Sequence, residues 1–215
     1  MASVINASSL TLQEVREQFG LESGFEEDFA GFLELQDLST TERERLARIR
    51  ADWERYLSAG KVSEGEVKVL ILSRLLVEAG YLSREDLRVS LEEQVAEVEV
   101  EDGNRVIHGR MDVLVCQERR GDRVPLCVVA IETKNSEVDV RVGLPQLLFY
   151  MQSFLDRQPL VWGLVTNGEV YLFVRLVAGR FLLFPYLVVS SLRQAERVLE
   201  VLIAIGREEV VSRVE

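Results

Sequence analysis

Hydrophobic residues recur with a helical period in the first third of the chain. Between residues 46 and 57 an apolar side chain returns every three or four positions with charged residues between, which predicts an amphipathic helix packed on the domain. Thr41-x-x-Glu44, just before this stretch, has the spacing of a capping box, in which two side chains bond the free amides of a helix start. The first third is therefore expected to be helical.

A second capping box, Ser63-x-x-Glu66, precedes a run over residues 67–80 that is apolar nearly all round. A helix of this kind is usually buried, and Gly80 at its end matches a C-terminal cap. We therefore expect a buried helix that ends at Gly80.

Beyond Ser83 the pattern changes to the short apolar or alternating runs that are typical of β-strands. The predicted strands cover residues 95–100, 105–116, 124–134, 159–166, 171–177 and 180–189. The predicted helices and hairpin turns are residues 146–155 with Pro145 in the first turn, residues 192–206, Asp102-Gly103 and Asn167-Gly168.

This order of elements predicts an α/β fold in which helices cover both faces of a mixed β-sheet. The chain has 215 residues, of which 47% are hydrophobic, so we expect one core of ordinary domain size. We divide it into an N-terminal helical extension, residues 1–60, packed on a core domain, residues 61–215. No run of about 18 apolar residues occurs, so no membrane-spanning helix is expected.

Charge and cysteine content narrow the classes of function. The formal net charge of −11 disfavours a protein that coats nucleic acid, and it predicts weak affinity for DNA when the protein is alone. Cys116 and Cys127 lie in apolar runs without the spacing of a zinc site. We therefore expect reduced thiols and a cytoplasmic location.

Charged residues interrupt two neighbouring apolar strands. Glu132 and Lys134 are two residues apart at a strand end, so their side chains point to the same face. Asp112 interrupts the preceding strand in a similar way. Because charges in buried strands are costly unless they are paired or used, this group predicts a functional site.

Asp112 and Glu132 face each other across an antiparallel hairpin if the register pairs these two positions. That register needs a loop with an odd number of residues, such as residues 121–123, and a three-residue loop is a common hairpin connection. The same register places Cys116 and Cys127 on opposite faces, which disfavours a disulfide between them.

Two carboxylates that converge repel each other unless a cation lies between them. Oxygen ligands suit Mg²⁺ or Mn²⁺, and such an ion polarises a phosphodiester and lowers the pKa of bound water. A lysine beside the ion orients or deprotonates that water, or stabilises the developing charge. Asp112, Glu132 and Lys134 therefore predict metal-dependent hydrolysis of a phosphodiester.

The same residues resemble a known motif. Residues 109–112 and 131–134 are similar to the D…(D/E)-x-K motif of PD-(D/E)XK nucleases. Gln146-x-x-x-Tyr150 in the following helix resembles the Q-x-x-x-Y motif in the nuclease domain of type I restriction-enzyme R subunits. Met111 stands where the family's name has proline, and the G-x-x-x-x-G-K-[ST] loop of the R-subunit motor is absent. Two further segments resemble that group, residues 63–64 and 166–168.

This resemblance, which covers roughly residues 63–175, implies a restriction-endonuclease-like fold and a Mg²⁺- or Mn²⁺-dependent DNA endonuclease without the motor. It implies that Asp112 and Glu132 bind the metal with the backbone carbonyl of Thr133. Lys134 would serve the attacking water, and Glu64 would stand near the metal. By analogy, a homodimer or a partner subunit would supply affinity for DNA.

Three more residues are candidates for contact with DNA. Gln146 and Tyr150 share one helical face, where they would touch DNA or brace the site. Gln146, like Glu64, is also a candidate catalytic residue. Arg110 has the strand parity of Asp112 and would meet a phosphate.

Structural roles stay open for each candidate. For Glu132 and Lys134 this role is an exposed salt bridge at the strand end, and for Asp112 it is an ion pair with Arg110 or Lys134. For the others it is helix-dipole stabilisation by Glu64, a solvated Gln146, a core Tyr150, and an ion pair of Arg110 with a nearby acid. A catalytically silent nuclease fold, serving as a DNA-binding or assembly module, is therefore the alternative to an enzyme. An interaction protein with an accidental triad is a third possibility. If Asp112 and Glu132 do not converge, the nuclease hypothesis fails.

Overall fold

A mixed β-sheet forms the centre of the protein. The structure is a computed structural model that describes residues 3–99, 105–118 and 125–208. Within these ranges nine strands form the sheet: β1 Ser3–Asn6, β2 Glu22–Phe25, β3 Leu87–Glu99, β4 Arg105–Gln117, β5 Leu126–Thr133, β6 Leu160–Thr166, β7 Val170–Val177, β8 Arg180–Leu183 and β9 Leu187–Val188. Neighbouring strands follow the order β1-β4-β5-β6-β7-β8-β2, with β3 also paired to β4 and β9 to β7. The pairs β1–β4, β2–β8 and β5–β6 are parallel, and the other described pairs are antiparallel.

Helices cover both faces of the sheet, which confirms the predicted mixed α/β architecture. They are α1 Leu12–Phe19, α2 Thr40–Ser58, α3 Glu64–Val67, α4 Ser73–Glu78, α5 Leu144–Gln152 and α6 Leu192–Arg207. α2, α3, α4 and α6 share one hydrophobic core with Val129 and Ile131 of β5, whereas α1 and α5 share a second core with Ala130. Residues 129–131 of β5 therefore alternate between the two cores, as in a strand between two helical layers. In the described part of the chain, no helix is both long enough and apolar enough to cross a membrane.

The start of α2 differs from the prediction by two residues. Ser39 and Glu42 form its capping box, so the predicted box at Thr41 and Glu44 is wrong. Both pairs fit the pattern, and the burial of Leu38 in the core fixes the chain immediately before Ser39. The predicted apolar face of α2 is confirmed by its buried residues, Leu46, Ile49 and Trp53.

The helix that follows Ser63 is confirmed, together with its predicted capping box. It runs through α3, a π-helical segment at Lys68–Leu72, and α4. Val69 and Val77 are exposed on its outer side, so the prediction of burial all round is wrong. The helix packs on the sheet along one side only, and the apolar residues of the other side face solvent.

The N-terminal segment, residues 1–60, contains α1 and α2 but also supplies two strands that were not predicted. β1 pairs with β4 and β2 pairs with β8. Each strand has four residues, which is too short for a period of two to be recognised, and β2 is largely exposed. The expectation of a purely helical segment is therefore wrong.

The predicted hairpin turns have different outcomes. Asp102-Gly103 and the loop at residues 121–123 lie outside the described residues. The hairpin at Asn167-Gly168 is confirmed, with four residues between the paired Thr166 and Tyr171. Gly168 has a φ of +87°, and a β-carbon there would lie 2.5 Å from the Trp53 ring, so both backbone and space favour glycine.

Candidate active site

The candidate site lies where one edge of β4 changes its partner. β1 pairs with residues 105–108 of β4, and β5 pairs with residues 113–117. Because β3 occupies the opposite edge, β1 and β5 follow one another along the same edge. In the described pairing, residues 109–112 have no strand partner there, so side chains complete this part of the sheet. Asp112 belongs to this gap.

The register of β4 and β5 next to the gap is the one that the hypothesis of facing acids requires. Val113 pairs with Ile131, so Asp112 and Glu132 are adjacent to a paired position on both strands. The register then shifts by one residue beyond Val115. This bulge pairs Cys116 with Cys127, so the prediction that they lie on opposite faces is wrong, although no disulfide joins them.

Both carboxylate oxygens of Asp112 have partners from other elements. Oδ1 accepts a hydrogen bond from Lys68 Nζ at 2.6 Å. Oδ2 accepts from the backbone amide and the hydroxyl of Thr133, each at 2.7 Å. Thr133 therefore contacts the site through these two donors, and the role of its carbonyl stays a prediction. The cation beside Asp112 is Lys68, not Arg110 or Lys134 as the structural alternative proposed.

Lys68 is the site residue that the sequence analysis missed. It is the first residue of the π-helical segment and also lies 3.7 Å from Glu64 Oε1, one helical turn earlier. Short π-helical insertions often occur at functional sites. The available signal was a lysine inside an otherwise apolar run, four residues after an acid at a helix start.

Glu64 reaches the same cluster from the first turn of α3. Burial and the negative charge of Asp112 raise its pKa, against the opposing charges of Lys134 and Lys68. Besides the helix dipole, the charges of Asp112 and Lys134 therefore also act on the Glu64 carboxylate.

Glu132 is the most deeply buried acid of the site, with 1% of its surface exposed. Its Oε1 accepts a hydrogen bond from Lys134 Nζ, and its Oε2 is buried with no hydrogen-bond partner. Burial raises the pKa of Glu132 to about 8, the charges of Asp112 and Glu64 add to the rise, and Lys134 opposes it. The structural alternative, an exposed salt bridge, is wrong in its exposure: Glu132 pairs with Lys134 but is buried, and the pair satisfies only one of the two oxygens.

Close packing against α5 holds Glu132 and Lys134 in place. A β-carbon at Gly143, which precedes α5, would lie 2.7 Å from Val165 Cγ1, 3.1 Å from Glu132 Cγ and 3.2 Å from Lys134 Cε. Such distances leave no room for a side chain. The absence of a side chain at Gly143 thus allows the start of α5 to pack directly against Glu132 and Lys134.

Gln146 and Tyr150 of α5 brace the gap in β4. The Tyr150 hydroxyl donates to the backbone carbonyl of Arg110 at 2.7 Å and accepts from Gln146 Nε2 at 2.9 Å. Tyr150 is fully buried, and Gln146 is half-buried. The Arg110 side chain is exposed and lies 3.8 Å from Glu92, so its structural alternative, a surface ion pair, is present.

The carboxylate oxygens of the cluster are of the type that binds a hard divalent cation. In this structure the Lys68 ammonium lies against one of them. Three carboxylates are available, and the unpartnered Oε2 of Glu132 is a buried oxygen that lacks a donor or a cation. Asp112 already bonds Lys68 and Thr133. Among the described residues, no three acidic, histidine or cysteine side chains are grouped so that they could hold an ion.

No protein-family model and no curated protein matches this chain. The function is therefore inferred from the geometry of the site. This geometry brings together Glu64, Asp112, Glu132 and Lys134, adds Lys68, and places Gln146 and Tyr150 behind them as a brace. Arg110 stays at the surface.

Proposed function

We propose that the protein is a metal-dependent nuclease that hydrolyses DNA phosphodiester bonds, with a restriction-endonuclease-like fold of the PD-(D/E)XK type. The observation that carries this proposal is the buried Glu132, with one unpartnered oxygen, beside Asp112 and Lys134 on adjacent strands. A buried carboxylate oxygen without a partner, in an acid whose pKa is raised by burial and by neighbouring acids, is a combination that clusters at functional sites. The resemblance of the D…E-x-K and Q-x-x-x-Y residues to R-subunit nuclease domains supports the same function.

In this proposal Asp112 and Glu132 hold Mg²⁺ or Mn²⁺, with the Thr133 carbonyl as the resemblance implies. The ion would polarise the scissile phosphate and acidify bound water. Lys134 is held by Glu132 and is available to orient the attacking water or to stabilise negative charge at the phosphate. Glu64, at the mouth of the cluster, adds negative charge that favours a cation.

In this proposal the isolated chain has low affinity for DNA, because its net charge of −11 repels phosphate. Arg110 is an exposed guanidinium in the gap, and in this proposal it would meet a backbone phosphate. Gln146 and Tyr150 act mainly by bracing β4. A homodimer or a partner subunit, in the cytoplasm, would supply the remaining affinity.

One observation favours the alternative, a catalytically silent module that binds DNA or assembles with a partner. Lys68 already neutralises Asp112 at 2.6 Å. A permanent ammonium at this position would stabilise the fold and make a metal unnecessary.

Cleavage of supercoiled plasmid with Mg²⁺ or Mn²⁺ tests the proposed activity. Asp112→Asn and Lys134→Met are expected to lower the rate by at least about 100-fold, because each removes a group that acts on the reacting charge. Asp52→Asn and Lys61→Met are matched controls that remove the same charges from exposed ion pairs. Cleavage that survives Asp112→Asn would exclude this site. A wild type that binds DNA but cleaves none under any metal condition would support the silent module.

A further inference from the structure

Lys68 occupies the position of a counter-ion among the acids of the site. Its Nζ lies 2.6 Å from Asp112 Oδ1 and 3.7 Å from Glu64 Oε1, and its side chain is 16% exposed. The bond to Asp112 spans 44 residues of sequence, so it depends on how the helix sits on the sheet. The ammonium therefore fills a place where a divalent ion bound to Asp112 would meet it.

The electrostatic surroundings keep Lys68 charged. Burial alone would lower the pKa of Lys68, but the hydrogen bond and the charge of Asp112, with Glu64 and Glu92, raise it overall. Two positive charges cannot share one carboxylate oxygen without strong repulsion. A metal ion at Oδ1 would repel the Lys68 ammonium, so metal binding and the contact between Lys68 and Asp112 compete for this oxygen.

The helix offers Lys68 a second position. Glu64 lies one turn earlier on the same helix and is 41% exposed, so it can retain the ammonium near solvent after Asp112 is released. A lysine side chain has four flexible carbon–carbon bonds and can make this move without a change in the backbone.

We propose that Lys68 is an intramolecular competitor of the divalent metal for Asp112, and that metal binding moves its ammonium from Asp112 toward Glu64 and solvent. This inference rests on the metal site of the proposed function. It adds a regulatory property to that site, because anything that holds Lys68 on Asp112 keeps the metal out.

Acylation of the native protein tests the movement without a mutation. The sequence contains three lysines, Lys61, Lys68 and Lys134, so mass spectrometry can follow each one after treatment with acetic anhydride at fixed pH. Saturating Mn²⁺, with binding verified by calorimetry, is expected to increase acylation of Lys68 several-fold. Lys61, exposed and paired with Glu137, is the internal control and should not change. Verified Mn²⁺ binding without an increase at Lys68 would overturn the inference while the metal site stands.

Calorimetric titration with MnCl₂ tests the competition itself. Lys68→Met is expected to bind Mn²⁺ about tenfold more tightly than the wild type or better, because the metal no longer displaces a charged hydrogen bond. Arg74→Met is the matched control: it lies on the same helix, and it also loses a cation held by an aspartate, Asp52, at 2.7 Å. The control should leave the affinity unchanged.

The remaining outcomes separate the inference from the proposed function. Binding by Lys68→Met alone would support the inference in its strongest form, with the wild-type metal site closed by Lys68. Equal or weaker binding by Lys68→Met than by the wild type would overturn the inference only. Absence of binding in both proteins would overturn the metal site and, with it, the proposed function.

Discussion

Two acidic clusters lie along β4 and have opposite electrostatic properties. Gln117, the last residue of the strand, donates a hydrogen bond to Asp86, and Arg84 does the same. The Asp86 side chain is 39% exposed. The bonds from Arg84 and Gln117 lower the pKa of Asp86 to about 2. Beside the gap of the same strand, burial and the charge of Asp112 raise the pKa of Glu132 on β5 to about 8.

The difference shows what a structural ion pair looks like in this protein and what the candidate site lacks. The Asp86 carboxylate is bonded to Arg84 and Gln117 at the surface, where ion pairs contribute little to stability. Around Glu132 the charged form is opposed by burial and by two other acids, and one oxygen is left without a partner. An acid in the second situation is costly for folding, which is a reason to assign it a function.

The pH dependence of stability gives the largest expected contrast between the clusters. Glu132 has an ordinary pKa of 4.5 when unfolded and about 8 when folded. It therefore favours folding below pH 4.5, and this contribution is lost as the pH rises through about 8. In metal-free buffer, the unfolding free energy of the wild type relative to Glu132→Gln should fall by roughly 2–4 kcal/mol across this window, measured with urea.

Asp86→Asn is the matched variant at the other cluster. Asp86 has a lowered pKa, so its contribution is present above its ordinary value of 3.8 and is lost as the pH falls toward about 2. Because it is exposed, the effect should stay below about 1 kcal/mol. If Glu132→Gln ran parallel to the wild type between pH 4.5 and 8, the pKa of Glu132 would not be raised in the folded protein.

The packing around two glycines, Gly143 beside the site and Gly65 in α3, gives the next comparison. Gly143→Ala places a methyl group 2.7 Å from Val165 and against Glu132 and Lys134, so it should destabilise the protein by about 1–3 kcal/mol and lower any metal-dependent cleavage. Gly65→Ala in α3 is the control, since no atom lies within 4 Å of the new methyl group. The control should be neutral or more stable by up to about 1 kcal/mol. Similar stabilities of the two variants in urea titrations would contradict the described packing.

Two buried tyrosines give the smallest and most selective contrast. Tyr150 donates to the carbonyl of Arg110 beside the site, and Tyr81, near Arg84, donates to the carbonyl of Leu202 at 2.8 Å. Each Tyr→Phe change should cost about 1 kcal/mol of stability. Only Tyr150→Phe should also lower metal affinity or cleavage, by several-fold, because Tyr150 braces the strand that carries Asp112. Equal effects of both variants on metal binding by calorimetry would assign Tyr150 a purely structural role.

The sequence by itself predicted the features that depend on short-range spacing. Alternating and continuous apolar runs predicted β4, β5, β6 and β7, and helical spacing predicted α2, α5 and α6, because these periods follow directly from backbone geometry. The separation of Glu132 and Lys134 placed both on one side of a strand. The positions of Asp112 and Glu132 allowed a register in which they face each other, and the structure has that register beside the site.

Only the tertiary structure decided which partners these residues have. The bond from Lys68 to Asp112, the bond from Tyr150 to Arg110 and the entry of β1 beside β4 all join segments far apart in sequence. No local period encodes such contacts, because they depend on how whole helices and strands pack against each other. The bulge that pairs Cys116 with Cys127 has the same origin, since a single extra residue in one strand reverses the face on which every later side chain lies.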